Sequence, residues 1–226
     1  MLIEGTKVTS NNEPPGKHTT TVAQAYAYSC NTFFAQLGVR VGETRFRAMA
    51  EAMGLTTAPP FELPTIAGRL NSDAAFLSSS GGLAASAYGQ GQLQMSPLGL
   101  ALATASIANG GVVPRPRFML DGTPAAWRTA MSPNTARLVT QMMVLGTTDG
   151  WAATATIPGV AVAAKTGSAE VAPGESSDAL FIAFAPAGAP TIAVVVVKER
   201  GGAGSTQAGP VARAVIDGWL KITTQH

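Results

Sequence analysis

Three short apolar runs crowd the last third of the chain, at 160–164, 180–185 and 192–197, and they limit what it can fold into. Each is apolar and partly β-branched, which is the composition of a strand buried in a sheet. The link between the second and third, Pro186-Ala187-Gly188-Ala189-Pro190, is tight, so those two form an antiparallel hairpin. A helical stretch from about Gly209 to Leu220 follows. It places Val211, Val215, Ile216 and Leu220 on one face, suited to packing on that sheet.

Most of the preceding sequence has a helical period. Residues 1–20 are polar and extended, with Pro14-Pro15-Gly16 as a turn. From Thr21 onward, Val22, Ala25, Tyr26 and Ser29 share one helix face. A second helical piece covers 32–37 and stops near Gly38, and a third covers 43–53, closed by Gly54 just past its end. Residues 56–92 have no clear period and read as a long irregular excursion, which inside a compact domain is usually functional. Ser96 and Pro97 then open a helix through Ala108, ended by Asn109-Gly110-Gly111. Ser132 and Pro133 open another, to about Leu145. The expected fold is therefore α+β: an extended part over 1–20, a mainly helical part over 21–150, and strands with a closing helix over 151–226.

Composition removes several function classes. The 226 residues suffice for one substantial core. Net charge is +2, only 12% of residues are charged, and no basic run or basic helix face occurs, so no nucleic-acid partner is expected. Cys30 is the single cysteine, which rules out an intrachain disulfide. His18 and His226 are far apart with no Cys, His or carboxylate cluster beside them, so no metal site is expected. The N-terminus lacks the charged and apolar regions of a signal peptide, and the run at 192–197 is too short to span a bilayer.

The chemistry concentrates in two short motifs. Lys165-Thr166-Gly167-Ser168-Ala169 follows the first apolar run. An ammonium, two hydroxyls and a glycine at a strand end form a compact anion site, and the glycine lets a ligand lie against the backbone. The plainer reading is a strand ending in a polar turn. Upstream, Ser29-Cys30-Asn31 sits where two helical pieces meet. Here the plainer reading makes Asn31 the N-cap of a helix beginning at Thr32, and both readings can hold together. Cys30 reads as a small side chain packed in the core. Tyr88-Gly89-Gln90-Gly91-Gln92 fails as a nucleotide loop, since it has no third glycine at the right offset and no preceding strand.

In their order and flanks, these motifs resemble two of the three motifs of the penicillin-binding transpeptidase and serine β-lactamase superfamily. Tyr28 before Ser29 and Thr32-Phe33-Phe34 after Asn31 look like the transpeptidase version. The stretch from Tyr88 to Leu93, followed by Ser96-Pro97, is similar to the Gly-Gln-Gly segment of high-molecular-weight, class B-like transpeptidases. The likeness runs from about residue 20 to the end. One departure is the strand after Lys165-Thr166-Gly167, which opens as Asp178-Ala179-Leu180-Phe181 where many relatives are aromatic-rich.

The resemblance implies roles. Lys165 would supply positive potential for a substrate carboxylate, and Thr166 and Ser168 would hydrogen-bond it. The Ser168 N–H would be one of two oxyanion-hole donors, and Gly167 would let an acyl-peptide lie alongside the strand. Ser29 would relay protons between the nucleophile, the catalytic lysine and the leaving amine. Asn31 would hydrogen-bond the acyl amide of the substrate.

The superfamily's nucleophile, a serine three residues before a lysine, is missing from this sequence. The residues three before the five lysines are Glu4, Pro14, Val162, Val195 and Gly218. The resemblance then implies that 1–226 is the C-terminal part of one transpeptidase domain. Its antiparallel sheet flanked by helices would lack the upstream strands and the nucleophile helix. Such a chain is expected to be inactive alone and, with apolar surface and a sheet edge open, prone to association. The implied partners are stem peptides ending in D-Ala-D-Ala, β-lactams, the remaining N-terminal portion of the domain, and cell-wall or division proteins. No cofactor is implied. The implied location is the extracytoplasmic face of a bacterial membrane, with an anchor not found in these residues. Alternatives are a D,D-carboxypeptidase or β-lactamase, a non-catalytic penicillin-binding sensor or docking module, and an unrelated soluble α/β domain.

Overall fold

The computed structural model describes residues 1–3, 5–10, 20–119 and 122–223. The Pro14-Pro15-Gly16 turn and both histidines lie outside them. Where an extended tail was expected, a small antiparallel hairpin opens the chain, β1 (Leu2–Ile3) against β2 (Thr6–Lys7). The next residue, Val8, is fully buried with Ala35 and Ala84.

Helices α1 (Val22–Ala27) and α2 (Asn31–Val41) meet at Tyr28-Ser29-Cys30, and α3 (Glu43–Ala52) follows across Gly42. Sequence reasoning stopped the second helix near Gly38, but α2 runs through it. Gly38 is buried, and a Cβ there would overlap the Ala87 side chain, so it marks a close helix contact rather than an end. Gly54, with φ of +77°, does close α3 as predicted.

Within 56–92, read as irregular, the chain forms a 3₁₀ turn at Phe76–Ser78 and then α4 (Ser80–Ala87). Ser79 caps α4 by accepting the Gly82 N–H at 3.0 Å. Gly81, Gly82, Leu83, Ala84 and Ser86 are all buried. A helix buried nearly all round has no polar face, and so no amphipathic period to detect.

The next helix, α5 (Pro97–Ala108), starts as predicted, with Ser96 Oγ accepting the Gly99 N–H at 3.0 Å. A ribbon of β3 (Val112–Pro114) and β4 (Ala126–Thr129) has no counterpart in the sequence reading. Helix α6 (Pro133–Asp149) is capped by Ser132 and continues past Leu145. Thr147 there sends its hydroxyl to the Val144 and Val162 carbonyls, both at 2.8 Å, which ties the end of α6 to the sheet.

Strands β5 (Ala163–Ala169), β6 (Asp178–Ala185) and β7 (Ile192–Lys198) form an antiparallel sheet in that order. The β6–β7 hairpin is as expected, but three central strands become one. Among the described residues only β6 has strands on both sides. The first apolar run is also displaced. Only its last two residues, Ala163 and Ala164, enter β5, which then continues through Lys165, Thr166, Gly167 and Ser168. The register holds throughout, from Ala163 opposite Phe184 to Ala169 opposite Asp178. The plainer reading, a strand ending in a polar turn, fails because these polar residues keep their pairing with β6. They belong to the strand because its backbone pairing continues.

Alternation along β6 builds the core. Ala179, Phe181, Ala183 and Ala185 face one cluster, with Ala208, Ala212 and Ile216 of the C-terminal elements α7 (Gly204–Gln207) and α8 (Gly209–Thr223). Ile182 and Phe184 face the other, with Ile107 of α5 and Met143 of α6. Phe181 and Phe184 are fully buried, each contributing roughly 2 to 3 kcal/mol by area removed from water. The packing face of α8 differs from the expected one. Ile216 is buried and Leu220 packs beside it, but Val211 and Val215 are exposed, at 49% and 47%. The small residues Gly209 and Ala212 let α8 lie close to the sheet, which rotates the valines outward.

Candidate active site

Lys165 and Ser29 lie 136 residues apart in sequence and meet in space: the Lys165 ammonium donates to Ser29 Oγ at 2.7 Å. Each end is fixed locally. Thr21 begins α1 with a reciprocal cap, its Oγ1 accepting the Gln24 N–H while its own N–H donates to Gln24 Oε1, both at 3.2 Å. One turn later the helix breaks. The Ser29 N–H donates to the Tyr26 carbonyl and the Cys30 N–H to the Ala25 carbonyl. Ser29 itself takes a left-handed φ of +56°. That conformation costs a non-glycine residue on the order of 1 kcal/mol and persists where surrounding contacts enforce it. It turns the hydroxyl toward the sheet.

Cys30 is buried, as expected, with its Sγ 3.4 Å from Thr32 Oγ1. Asn31 is not an N-cap. That position falls on Cys30, which makes no side-chain cap bond, and Asn31 is the first helical residue. Its amide donates to the Thr9 carbonyl at 3.3 Å, and it lines the cleft described below. A helix start one residue earlier than predicted releases the Asn31 side chain from capping its own helix.

On the sheet side, Lys165 also donates to the Thr166 carbonyl at 2.7 Å, and the Tyr26 ring centroid lies 5.9 Å from its ammonium. Burial lowers the Lys165 pKa from an ordinary 10.5 to about 8. The residue as a whole is half-buried and lines the cleft described below. The Tyr26 hydroxyl is pushed well above its ordinary value by the same burial, so it stays protonated.

Gly204 holds the far end of the site. Its N–H donates to Ser168 Oγ at 3.1 Å, which leaves the Ser168 O–H to donate elsewhere. A Cβ on Gly204 would collide with the carbonyls of Gly167 and Leu180, so only glycine lets α7 lie this close to β5 and β6.

Ser29, Asn31, Lys165, Thr166, Gly167 and Ser168 all line one cleft of about 630 Å³, a size that suits a small ligand or a short peptide. Every site residue proposed from sequence is thus in one place. Sequence reasoning missed several others that share the cleft, including Tyr26, Gln90, Trp151 and Ser205. Gln90 carried a signal, since it stands between two glycines in the segment that resembles transpeptidases. Trp151 carried a weaker one, as a large aromatic just after Gly150. No group of three or more His, Cys, Asp or Glu side chains able to hold a metal stands together among the described residues.

The pattern of the penicillin binding protein transpeptidase domain family matches residues 4–217. With this fold and this cleft, the chain belongs to that family. It is 37% identical over 222 residues to the peptidoglycan D,D-transpeptidase PbpA of Mycobacterium tuberculosis, covering 90% of this chain and 44% of that protein. The corresponding protein of Mycolicibacterium smegmatis is 36% identical over the same span. Among solved structures, the penicillin G acyl-enzyme complex of M. tuberculosis penicillin-binding protein A superposes with a TM-score of 0.85 at 33% identity, covering 97% of this chain and 54% of that one. The D,D-transpeptidase domain of a peptidoglycan glycosyltransferase from Eggerthella lenta gives 0.83 at 29% identity, covering 92% and 54%. The chain therefore spans about half the length of these relatives.

Proposed function

We propose that this chain forms the peptide-binding side of a peptidoglycan D,D-transpeptidase active site, for stem peptides ending in D-Ala-D-Ala and for β-lactams. The observation that carries the reading is the 2.7 Å bond from Lys165 to Ser29, which joins the two motifs in one cleft. Lys165, with Thr166 and Ser168, attracts and holds the terminal carboxylate. The Ser168 N–H serves the oxyanion. Asn31 holds the acyl amide. Ser29, bonded to a lysine whose pKa is lowered toward neutrality, passes a proton to the departing amine.

The acyl step needs a nucleophile. No serine in these 226 residues stands three before a lysine, so acylation by that motif requires a serine supplied from outside them. The attacking hydroxyl would form an ester with the penultimate D-alanine, D-alanine would leave as the amine, and an amine of a second stem peptide would take the acyl group. This chemistry implies action at the extracytoplasmic face of the membrane. No helix among the described residues is long and apolar enough to cross one.

Transfer to an amine is favoured over β-lactamase hydrolysis by the Gly89-Gln90-Gly91 segment, which is similar to that of transpeptidases. Glu43 is held by Arg47 at 2.7 Å and Ser78 at 2.9 Å, Glu62 accepts the Phe118 N–H at 2.9 Å, and neither these two nor Glu51 lines the cleft to activate water.

Labelling with a fluorescent penicillin, resolved on a denaturing gel, tests the reading. The comparison is this chain alone against a form that also carries a Ser-x-x-Lys segment of the domain. Label on the longer form only, weakened by Lys165→Ala, supports it. Label on neither form overturns it, and covalent label on this chain alone would show a nucleophile of a different kind.

A further inference from the structure

β5 is an outer strand of its sheet among the described residues, and it lines the cleft with Lys165, Thr166, Gly167 and Ser168. A peptide that adds to such an edge does so through main-chain hydrogen bonds, using the strand's outward N–H and C=O groups. One of those acceptors already has a partner. Gln90 Nε2 donates to the Ser168 carbonyl at 3.2 Å, across 78 residues of sequence.

A built loop holds Gln90 there. Gly89 and Gly91 on either side have φ of +88° and +78°. A Cβ on Gly91 would come within 2.9 Å of the Phe76 ring. Two residues on, Gln92 Oε1 anchors the loop by accepting the Ser72 N–H at 2.8 Å and the Asp73 N–H at 3.0 Å. The loop fixes its own base through Gln92 and projects Gln90 over the strand edge.

A primary carboxamide carries the same donor and acceptor as a peptide group. We propose that the Gln90 carboxamide occupies the strand-edge acceptor that an incoming acyl-peptide must use, so that Gln90 sets how readily peptides add to β5. This rests on the proposed reading of the cleft as a peptide site. A ligand amide and the Gln90 amide compete for one carbonyl oxygen. The peptide must displace Gln90, whose amide then turns to solvent or to the peptide itself. The device therefore weakens ligands that need this acceptor for a main-chain N–H. A ligand that presents only a carboxylate to Lys165 has no need to displace Gln90.

The test is binding of an N-acetylated peptide ending in D-Ala-D-Ala to the full chain, followed by calorimetry, for the unmodified protein, Gln90→Ala and Gln90→Glu. A net hydrogen bond of ordinary strength corresponds to about threefold to tenfold in affinity. Gln90→Ala is expected to bind the peptide more tightly by about that factor, while its affinity for acetate, a carboxylate with no amide, stays unchanged. Gln90→Glu, which cannot donate to Ser168, is expected to lose the competition too, but to bind the anionic peptide less tightly than Gln90→Ala. Peptide affinity unchanged or reduced in Gln90→Ala would overturn the proposal and make Gln90 a bystander or a ligand contact. Failure of the unmodified chain and both variants to bind the peptide would overturn the reading of the cleft itself, and with it this role for Gln90. A Lys165→Met control that binds as well as the parent would overturn the cleft reading, and with it this role for Gln90.

Discussion

The Lys165 ammonium donates to the Ser29 hydroxyl at 2.7 Å, and Ser29 reaches it only by adopting a left-handed φ of +56°. The two facts balance. An unfavourable backbone conformation is held by a charge-assisted hydrogen bond, and that bond brings together the α1–α2 junction and the first strand of the sheet.

Substitutions at Ser29 separate the two effects. Ser29→Ala removes the bond and keeps the strain, and is expected to cost about 1 to 2 kcal/mol. Ser29→Gly also removes the bond but relieves the backbone, and should be more stable than Ser29→Ala by about 1 kcal/mol. Urea unfolding of the two variants beside the parent measures this.

The lowered pKa of Lys165 predicts the sign of a pH effect. Folded protein releases this proton near pH 8, while the unfolded chain holds it to about 10.5. Below pH 8 both states carry the charge, and the penalty for burying it is fully present. Between those values the unfolded chain binds more protons, so stability rises with pH. Lys165→Met lacks the titrating group. Thermal melts should therefore show the parent gaining on Lys165→Met as pH rises through that window, with no relative change near neutrality.

Gly204 and Gly218 should respond in opposite directions to alanine. At Gly204 a Cβ meets the carbonyls of Gly167 and Leu180, and Gly204→Ala is expected to cost about 1 to 3 kcal/mol. At Gly218, inside α8, nothing lies within 4 Å. Gly218→Ala should stabilise by about 0.5 to 1 kcal/mol. Midpoints of denaturant unfolding report both.

The face of α8 can be checked the same way. Ile216 is fully buried, so Ile216→Ala is expected to cost about 2 to 5 kcal/mol. Val211 is exposed, and Val211→Ala should change stability by no more than about 0.5 kcal/mol.

Much of this was legible before any coordinates. Ser96-Pro97 and Ser132-Pro133 announced helix starts through side-chain caps that act within one turn, and such local chemistry is readable. The β6–β7 hairpin followed from apolar runs and a tight link. The cleft residues were found because their functional groups are few and their order distinctive. What escaped depends on contacts between distant segments. Gly38 looked like a stop because its partner, Ala87, lies far along the chain. Helix α4 is covered by its neighbours on most sides, so it has no period. β5 continues through polar residues because β6 pairs with them. Val211 and Val215 share a helical face with apolar neighbours, yet small residues at Gly209 and Ala212 decide which way α8 rolls. Gln90 read as a family marker, and only its 3.2 Å contact with Ser168 shows where its side chain goes.

The joining of the two motifs is tested most directly by titrating the lysines. There are five, so protein labelled with ¹³C at the lysine ε-carbon gives few enough resonances to follow individually by NMR. The account predicts one resonance titrating near pH 8, absent in Lys165→Arg and displaced in Ser29→Ala. No resonance titrating near pH 8, and none moved by Ser29→Ala, would contradict it.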